Sequence, residues 1–289
     1  MTKEESEQLS AELAAFIAEE APYIEYSARD ISAYSQAHPG TDAELCCVLE
    51  RFCAAFGLQK RADPAYLRAL YRNARRFHPA EFYTDPYLKN VRVPEAKIGP
   101  FLLTNASYER GELFQYDMPD LAAEIVVPKL GFFSERVSFP GIYEGNIPWM
   151  SVCPSEIFSM RAPIARAHGR TLVLGLGLGY YPFIILQKES VQNVTIIERQ
   201  PEIISLFQKH LLPQFGRKAD IRIIQADALK YLASVQNGQF DFCFADIWEN
   251  QFDGAEAYLR IKRFEGRLPQ TEFAYWIEDS IRQFLSSLR

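Results

Sequence analysis

The sequence of 289 residues lacks several patterns that identify common classes of protein. No stretch approaches the ~20 consecutive apolar residues that a membrane-spanning helix needs, so no membrane partner is predicted. The charged N-terminal segment has no apolar core of the kind found in secretion signals. Its five cysteines form no CxxC pair, and this odd number without a signal peptide favours free thiols in the cytoplasm.

Patterns for metal, hydrolase and nucleic-acid chemistry are also missing. None of the four histidines has metal-ligand spacing to a cysteine or to another histidine, so no metal site is predicted. Neither a G-x-S-x-G serine turn nor a phosphate-binding G-x-x-x-x-G-K-[ST] loop is present. The net charge of −6 does not predict a broad nucleic-acid-binding surface.

Three regions follow one another along the chain. Residues 1–90 have apolar side chains at helical spacing and predict a helical N-terminal domain, in which Thr41 and Glu44 form a capping box. Residues 91–153 contain short extended runs between turn-forming residues, which predicts a β-hairpin region. Residues 154–289 alternate apolar runs with amphipathic segments, which predicts a parallel sheet with helical crossovers.

The apolar runs of the third region are continuous, as in parallel strands that are buried on both faces. The predicted strands are Thr171–Leu176, Asn193–Glu198, Ile221–Gln225 and Phe240–Asp246. Two helices are predicted after them, over Gly254–Arg263 and Glu272–Leu288, with no strand between. The predicted fold is therefore α/β, with a Rossmann-like sheet that is C-terminally truncated to the order 3-2-1-4. Its fourth strand would be an open edge, covered by the hairpin region or by a second copy of the chain in a homodimer.

The segment TLVLGLGLGYYPF carries the strongest functional signal. A predicted buried strand runs into Gly175, Gly177 and Gly179 before a predicted helix begins. Residues without a Cβ allow a sharp turn there and let a ligand approach the backbone, whose N–H groups attract negative charge. Tight packing of the strand against the helix is the alternative explanation for Gly175.

A carboxylate follows each of the next three strands: Glu198, Asp227 and Asp246. The carboxyl ends of parallel strands meet at one edge, so these side chains should converge with the glycine turn. Capping of the following helix is an alternative role for Glu198 and for Asp227. Asp246 ends an apolar strand, where a partner or a function must account for its charge.

The spacing of the glycines discriminates between nucleotide-binding folds. The third glycine of the dinucleotide pattern G-x-G-x-x-G is replaced by Tyr180 or Pro182, depending on the glycine from which one counts. The pattern G-x-G-x-G with acids after the next three strands instead resembles class I S-adenosylmethionine-dependent methyltransferases. Residues 130–250 resemble the spermidine synthase-like branch, which also places β-hairpins before the nucleoside-binding fold and has a similar layout to GIYEGNIPWMSVCPSEIFSM.

The resemblance implies a cofactor, S-adenosylmethionine, and a small-molecule acceptor. It implies cofactor contacts to the methionine part, the ribose and the adenine from Gly175, Gly177, Gly179, Tyr180, Glu198, Arg199, Asp227, Ala228 and Asp246. Asp246 would also be the catalytic residue, which orients the acceptor or takes its proton. The implied substrate residues are Trp248, Glu249 and Glu156.

The sequence departs from the family pattern at three places. Gly175 stands where the family commonly has an acid, and Tyr181 stands where it often has a glycine. The segment Ile247–Asn250 lacks the further acids that hold a polyamine in aminopropyl-transferring enzymes. The predicted function is therefore methyl transfer, with three alternatives: an aminopropyltransferase, a non-catalytic module that binds the cofactor, and a scaffold with an empty pocket.

Overall fold

A computed structural model describes residues 1–288, whose helices and strands are numbered in chain order. The helices are α1 (Lys3–Glu20), α2 (Ala28–Ala37), α3 (Ala43–Ala55), α4 (Leu58–Arg61), α5 (Pro64–Asn73), α6 (Ala80–Tyr83), α7 (Pro86–Asn90), α8 (Pro154–Ser159), α9 (Arg161–Arg166), α10 (Tyr180–Ile185), α11 (Pro201–Leu206), α12 (Ala228–Ser234), α13 (Gln251–Glu265) and α14 (Glu278–Ser287). A π-helical turn, Phe207–Leu211, and the 3-10 turns Leu212–Gln214 and Lys218–Asp220 follow α11.

The strands are β1 (Arg75–Phe77), β2 (Ala96–Ile98), β3 (Phe101–Tyr108), β4 (Phe114–Asp117), β5 (Lys129–Phe133), β6 (Val137–Glu144), β7 (Ile147–Ser151), β8 (Gly169–Leu174), β9 (Val191–Glu198), β10 (Ile221–Gln225), β11 (Phe242–Ala245) and β12 (Glu272–Tyr275). Among the described helices, none combines the length and the apolar character that crossing a bilayer requires.

The chain divides into two compact units whose boundaries differ from the three predicted regions. The first unit joins Met1–Tyr83 with Ser107–Ser138, so it takes up part of the predicted hairpin region. The second joins Thr84–Ala106 with the described residues from Phe139 onward. The division follows tertiary contacts that a composition change along the chain does not reveal.

The first unit has a helical core with a small sheet beside it. Apolar residues at helical spacing on α1, α3 and α5 meet in this core, where Leu13, Val48 and Tyr66 are fully buried. The sheet has the order β1-β5-β4, with β1 parallel and β4 antiparallel to β5. Helices α1, α3 and α5 thus supply the core of the first unit.

The predicted capping box of Thr41 and Glu44 at the start of α3 is wrong. The N-cap of α3 is Asp42, whose carboxylate accepts the backbone N–H of Leu45 at 3.1 Å. The Thr41 hydroxyl instead donates to the backbone oxygen of His38 at 2.9 Å. Two good capping residues stand side by side here, and the charged one lies nearer to the helix and takes the role.

The second unit contains a four-stranded sheet, β2-β3-β6-β7, and a five-stranded parallel sheet in the order β10-β9-β8-β11-β12. Each of the four predicted strands is present within a few residues of its expected bounds. The core of the parallel sheet is apolar, with Leu174, Cys243 and Ala245 fully buried. Rossmann-like α/β architecture is therefore confirmed.

The predicted truncation after the fourth strand is wrong. Glu272–Tyr275 forms a fifth strand in parallel register with β11, from Phe242 opposite Glu272 to Ala245 opposite Tyr275. The helix predicted over Glu272–Leu288 begins only at Glu278. Because β12 covers β11, the reason for expecting a second copy of the chain on that edge no longer applies.

Candidate functional site

The site lies where the strand order of the parallel sheet reverses. In the sheet, β8 lies between β9 and β11, so the chain crosses to the other side of β8 before it forms β11. Ligands of open α/β sheets bind at the carboxyl ends of the two strands that flank this change of direction, here β8 and β11. The N–H of Asp246 donates to the carbonyl of Leu174 at 2.9 Å, and the N–H of Gly175 donates to the carbonyl of Ile197 at 2.9 Å. The glycine turn and the end of β11 are thus held together by the backbone.

Gly175 cannot be replaced without disturbing this junction. Its φ is +98°, and a Cβ built on it would lie 2.0 Å from the carbonyl oxygen of Asp246. No side chain fits that distance, and L-residues rarely adopt that φ. The glycine therefore permits the first turn to pass directly over the end of β11.

Glu198 closes the glycine turn from the β9 side. Its carboxylate accepts the N–H of Leu176 at 3.1 Å with one oxygen and the N–H of Gln200 at 2.8 Å with the other. The residue is only 6% exposed. Backbone donors of the turn and of the loop after β9 thus balance a buried charge, and they hold the carboxylate beside the turn.

Glu156 and Asp246 form a pair of interacting carboxyl groups. Glu156 lies on α8 and Asp246 directly follows β11, and both are half-buried. Desolvation raises the pKa of Asp246 to about 7. Desolvation, and then the charge of Asp246 and the Cys153 thiol, also raise the pKa of Glu156 well above its usual range. Two like-charged groups in a poorly solvated place resist double ionisation, so the pair holds a proton near neutral pH.

Tyr180, the first residue of α10, lies near enough to Glu156 to interact with it electrostatically. Tyr180 is 5% exposed, and its hydroxyl donates to the Asp85 carboxylate at 3.0 Å. Burial, then Asp85, raise the pKa of Tyr180, while the nearby Arg161 lowers it and Glu156 raises it further. Tyr180, Glu156 and Asp246 therefore form one electrostatically connected set beside the glycine turn.

Met150 covers the middle of the glycine turn. The Leu178 N–H donates to the Met150 Sδ at 3.2 Å. Gly177 has φ +52°, and a Cβ on it would lie 2.3 Å from the same sulfur and 2.8 Å from the Met150 Cε. The bare face of Gly177 and the adjacent N–H form a cradle that accepts a methionine side chain.

The remaining glycine and the next tyrosine belong to the packing of α10. Gly179 is its N-cap residue, and a Cβ there would lie 2.3 Å from the Phe207 ring. Tyr181 stacks on Phe244 with ring centroids 4.0 Å apart, and its hydroxyl donates to the Pro163 carbonyl. Tyr181 thus fills the core of the sheet.

Two of the predicted cofactor residues that follow β9 and β10, Arg199 and Asp227, are exposed. Asp227 is exposed and caps α12, accepting the N–H of Lys230 at 2.9 Å, and Ala228 is the buried first residue of that helix. Arg199 is exposed. The capping role that the sequence left open for Asp227 is therefore present. One oxygen of its carboxylate is used for it, and capping and ligand binding can coexist.

The two residues expected to shape the acceptor site differ in exposure. Trp248 is 6% exposed and packs in the core with its ring over Gly254, where a Cβ would lie 2.7 Å from the ring. Its indole Nε1 is buried and has no hydrogen-bond partner among the described residues. Glu249 is exposed, and its backbone N–H donates to the Asp253 carboxylate.

Sequence reasoning missed Met150, Asp85 and Tyr87 as neighbours of the turn. The Tyr87 hydroxyl donates to the Leu178 carbonyl at 2.7 Å, and Asp85 caps α7 as well as binding Tyr180. The Asp85–Pro86 step is a recognisable helix start. No local signal announces Met150, whose contact with the turn is purely tertiary.

No protein-family model matches the chain, and neither does any curated protein. Solved structures that it resembles include a precorrin 8W decarboxylase from Methanobacterium thermoautotrophicum, with 17% identity over 42% of this chain and 62% of that one and a TM-score of 0.30. Spermidine synthase from Thermotoga maritima has 16% identity over 48% and 53% of the two chains, with a TM-score of 0.35.

A further similar structure is a spermidine synthase in complex with the transition-state analogue AdoDATO, with 17% identity over 39% of this chain and 43% of that one and a TM-score of 0.31. The chain thus spans between 43% and 62% of the length of these three structures. The strand order β10-β9-β8-β11-β12, with all neighbours parallel, gives the second unit a Rossmann-like α/β fold.

Proposed function

We propose that this chain is an S-adenosylmethionine-dependent transferase, and more specifically a methyltransferase that acts on a small-molecule acceptor in the cytoplasm. The supporting observation is the junction of β8 and β11, where a bare glycine turn meets the Glu156–Asp246 pair. Transfer of a group to an acceptor that must lose a proton needs a place that binds the donor and a group that takes the proton. The glycine turn and the carboxyl pair would supply these two functions at one switch point of the sheet.

The turn has the shape and the donor that the methionine part of this cofactor requires. Gly177 and the Leu178 N–H already hold a thioether side chain, that of Met150. Glu198 lies beside the turn and can accept ribose hydroxyls with its remaining lone pairs. When bound, the cofactor would supply an electrophilic methyl group on a sulfonium.

Asp246 is the proposed general base. Its pKa of about 7 leaves a substantial fraction ionised at neutral pH, while the group remains basic enough to take a proton. Asp246 would accept the proton that the acceptor loses when its lone pair bonds to the methyl carbon. The bond between that carbon and the sulfonium sulfur would break, and the sulfur would leave as a neutral thioether. Desolvation, and then the charge of Asp246, also raise the pKa of Glu156, so simultaneous ionisation of the two carboxyl groups is unfavourable. Positioning contributes the larger share, since alignment of reactants is worth roughly 7–11 kcal/mol and a general base ~10²–10⁴-fold.

Calorimetry on the full chain tests the proposal, first with S-adenosylmethionine and S-adenosylhomocysteine and then with an acceptor screen that uses methyl-labelled cofactor. We expect adenosyl binding by the wild type and by Asp246→Asn, and transfer only by the wild type. Glu256→Gln is the matched control, because Glu256 is 84% exposed on α13. Absence of adenosyl binding would contradict the proposal, and transfer of an aminopropyl group would favour the spermidine synthase-like alternative.

A scaffold that binds no adenosyl compound is the second candidate, and the contact between Met150 and the glycine turn favours it. A methionine that occupies the turn leaves less room for a ligand in that arrangement. Binding of the adenosyl compounds without transfer to any acceptor would instead identify a non-catalytic binding module.

A further inference from the structure

Met150 lies on a strand from which its side chain can reach or leave the glycine turn. It belongs to β7, where it pairs with Ile142 of β6, and it is itself half-buried. The turn between these two strands is exposed, and Ile147 at the start of β7 is 72% exposed. Methionine has three rotatable side-chain bonds, so the thioether can change position without a change in the hairpin backbone.

The contact that Met150 makes with the turn is a weak one. A thioether sulfur is a weak hydrogen-bond acceptor, and the Leu178 N–H donates to it at 3.2 Å. A hydrogen bond from the same N–H to a carboxylate would be roughly twice as strong as a neutral one. A ligand that carries an anionic acceptor group therefore gains by replacing the sulfur.

The space beside Gly177 can hold either the Met150 thioether or a ligand, but not both. The Met150 Sδ lies 2.3 Å from the position of an added Cβ on Gly177, so the sulfur fills the space that the missing side chain leaves. A ligand atom and the thioether cannot share that space. Whatever binds the cradle must displace Met150.

We propose that Met150 is the residue that determines which ligands the glycine turn admits: it occupies the Gly177–Leu178 cradle and yields only to a ligand that offers a stronger acceptor to the Leu178 N–H. The inference rests on the proposed function for the identity of that ligand, an amino-acid-bearing adenosyl compound. Adenosine, which lacks the amino-acid part, has nothing to offer the cradle and leaves Met150 in place.

The test combines binding with hydrogen exchange on the full chain. The variants are Met150→Ala, which removes the side chain, and Met150→Leu, which keeps its volume without the acceptor. Ile147→Ala is the control, because Ile147 is exposed on the same strand. Affinities for S-adenosylhomocysteine and adenosine are measured by calorimetry, and exchange of the Leu178 amide is measured in the ligand-free protein.

We expect Met150→Ala to tighten S-adenosylhomocysteine binding about tenfold, to leave adenosine binding unchanged and to accelerate exchange of the Leu178 amide. Met150→Leu should accelerate exchange less, because its bulk still covers the turn. Unchanged or weaker S-adenosylhomocysteine binding by Met150→Ala, where the wild type binds it, would overturn the inference.

Exchange separates this inference from the proposed function. Suppose that neither the wild type nor Met150→Ala binds any adenosyl compound. Faster hydrogen exchange of the Leu178 amide in Met150→Ala would then still show that Met150 covers the cradle, while the proposed cofactor would be wrong. An unchanged exchange rate of the Leu178 amide in Met150→Ala would show that Met150 does not cover the cradle. Ile147→Ala should behave as the wild type in every measurement.

Discussion

The carboxyl groups of Glu156 and Asp246 share one poorly solvated place at the end of β11, and each holds its proton to a higher pH than it would in water. The pair comes from two segments that are far apart in the sequence, a short helix before the parallel sheet and the end of its fourth strand. This relationship gives the site both its proposed chemistry and its clearest dependence on pH.

Asp246→Asn should make stability less dependent on pH. The folded pKa of about 7 lies above the ordinary value of 3.8, so the folded state binds more protons than the unfolded state between these values. Stability should therefore fall as pH rises from about 4 to 7, and the variant should escape this loss. We expect Asp246→Asn to be more stable than the wild type at pH 8 by about 1–3 kcal/mol and similar to it at pH 4.

Urea unfolding at pH 4, 6 and 8 measures this effect, with Glu256→Gln as the control. Parallel pH profiles for Asp246→Asn and the wild type would show that Asp246 ionises as it does in water. In a transfer assay with an identified acceptor, Asp246→Asn should lose about 10²–10⁴-fold in turnover.

Glu198→Gln should weaken the glycine turn itself. The carboxylate accepts two backbone N–H groups, whereas an amide offers one oxygen and presents an NH₂ to the other donor. One buried N–H then loses its partner, which costs about 1–3 kcal/mol. Chemical denaturation checks this value, and Glu189→Gln, at an exposed position just before β9, should change stability by less than about 0.5 kcal/mol. Equal stability of Glu198→Gln and the wild type would show that the carboxylate is not needed to hold the turn.

Gly175→Ala and Gly266→Ala form a matched pair. Alanine at Gly175 meets both an unfavourable φ of +98° and the carbonyl oxygen of Asp246, so we expect a loss of about 2–4 kcal/mol. Nothing lies within 4 Å of a Cβ on Gly266, where φ is −63°, so alanine there should be neutral or stabilising by up to about 1 kcal/mol. Thermal and urea unfolding of both variants decide the point, and a tolerated alanine at Gly175 would contradict the described junction.

Asp241 should contribute stability with the opposite pH dependence. Its pKa is lowered to about 2 by hydrogen bonds from the Arg170 side chain and backbone N–H. The stabilisation is complete above the ordinary value of 3.8 and is lost as pH falls towards 2. Since 34% of the side chain is exposed, we expect Asp241→Asn to cost only about 1 kcal/mol at pH 7 and less at pH 2.5.

Acid titration of stability with Asp241→Asn measures this loss, and adenosyl binding should be unchanged, because Asp241 lies at the opposite end of β11 from Asp246. A stability difference that persists unchanged at pH 2.5 would assign the effect to packing and not to the ion pair.

The sequence predicts the parallel strands well because each is a continuous apolar run between turn residues. Its failure at β12 has a physical cause. Phe273, Trp276 and Ile277 fit the spacing of a helix stripe, yet Phe273 and Tyr275 are buried in a strand of only four residues. So short a run carries no periodicity of its own, and its conformation is decided by pairing with β11.

The site was predictable only as far as strand ends determine it. Gly175, Glu198 and Asp246 all lie at the ends of strands, so topology alone places them close together. Whether Asp227 caps α12, or whether Trp248 faces the core, depends on packing around each side chain. The role of Met150 is further removed from the sequence, because hairpin and turn meet only in the folded chain.

The fifth strand also has a consequence for any shortened form of this chain. β12 supplies the hydrogen-bonding partners of one whole side of β11, from Phe242 to Ala245, a run of apolar residues. A version that ends before Glu272 would leave those N–H and C=O groups unpaired on an exposed, apolar edge strand. Such a fragment should aggregate upon expression, even though every residue of the glycine turn would still be present.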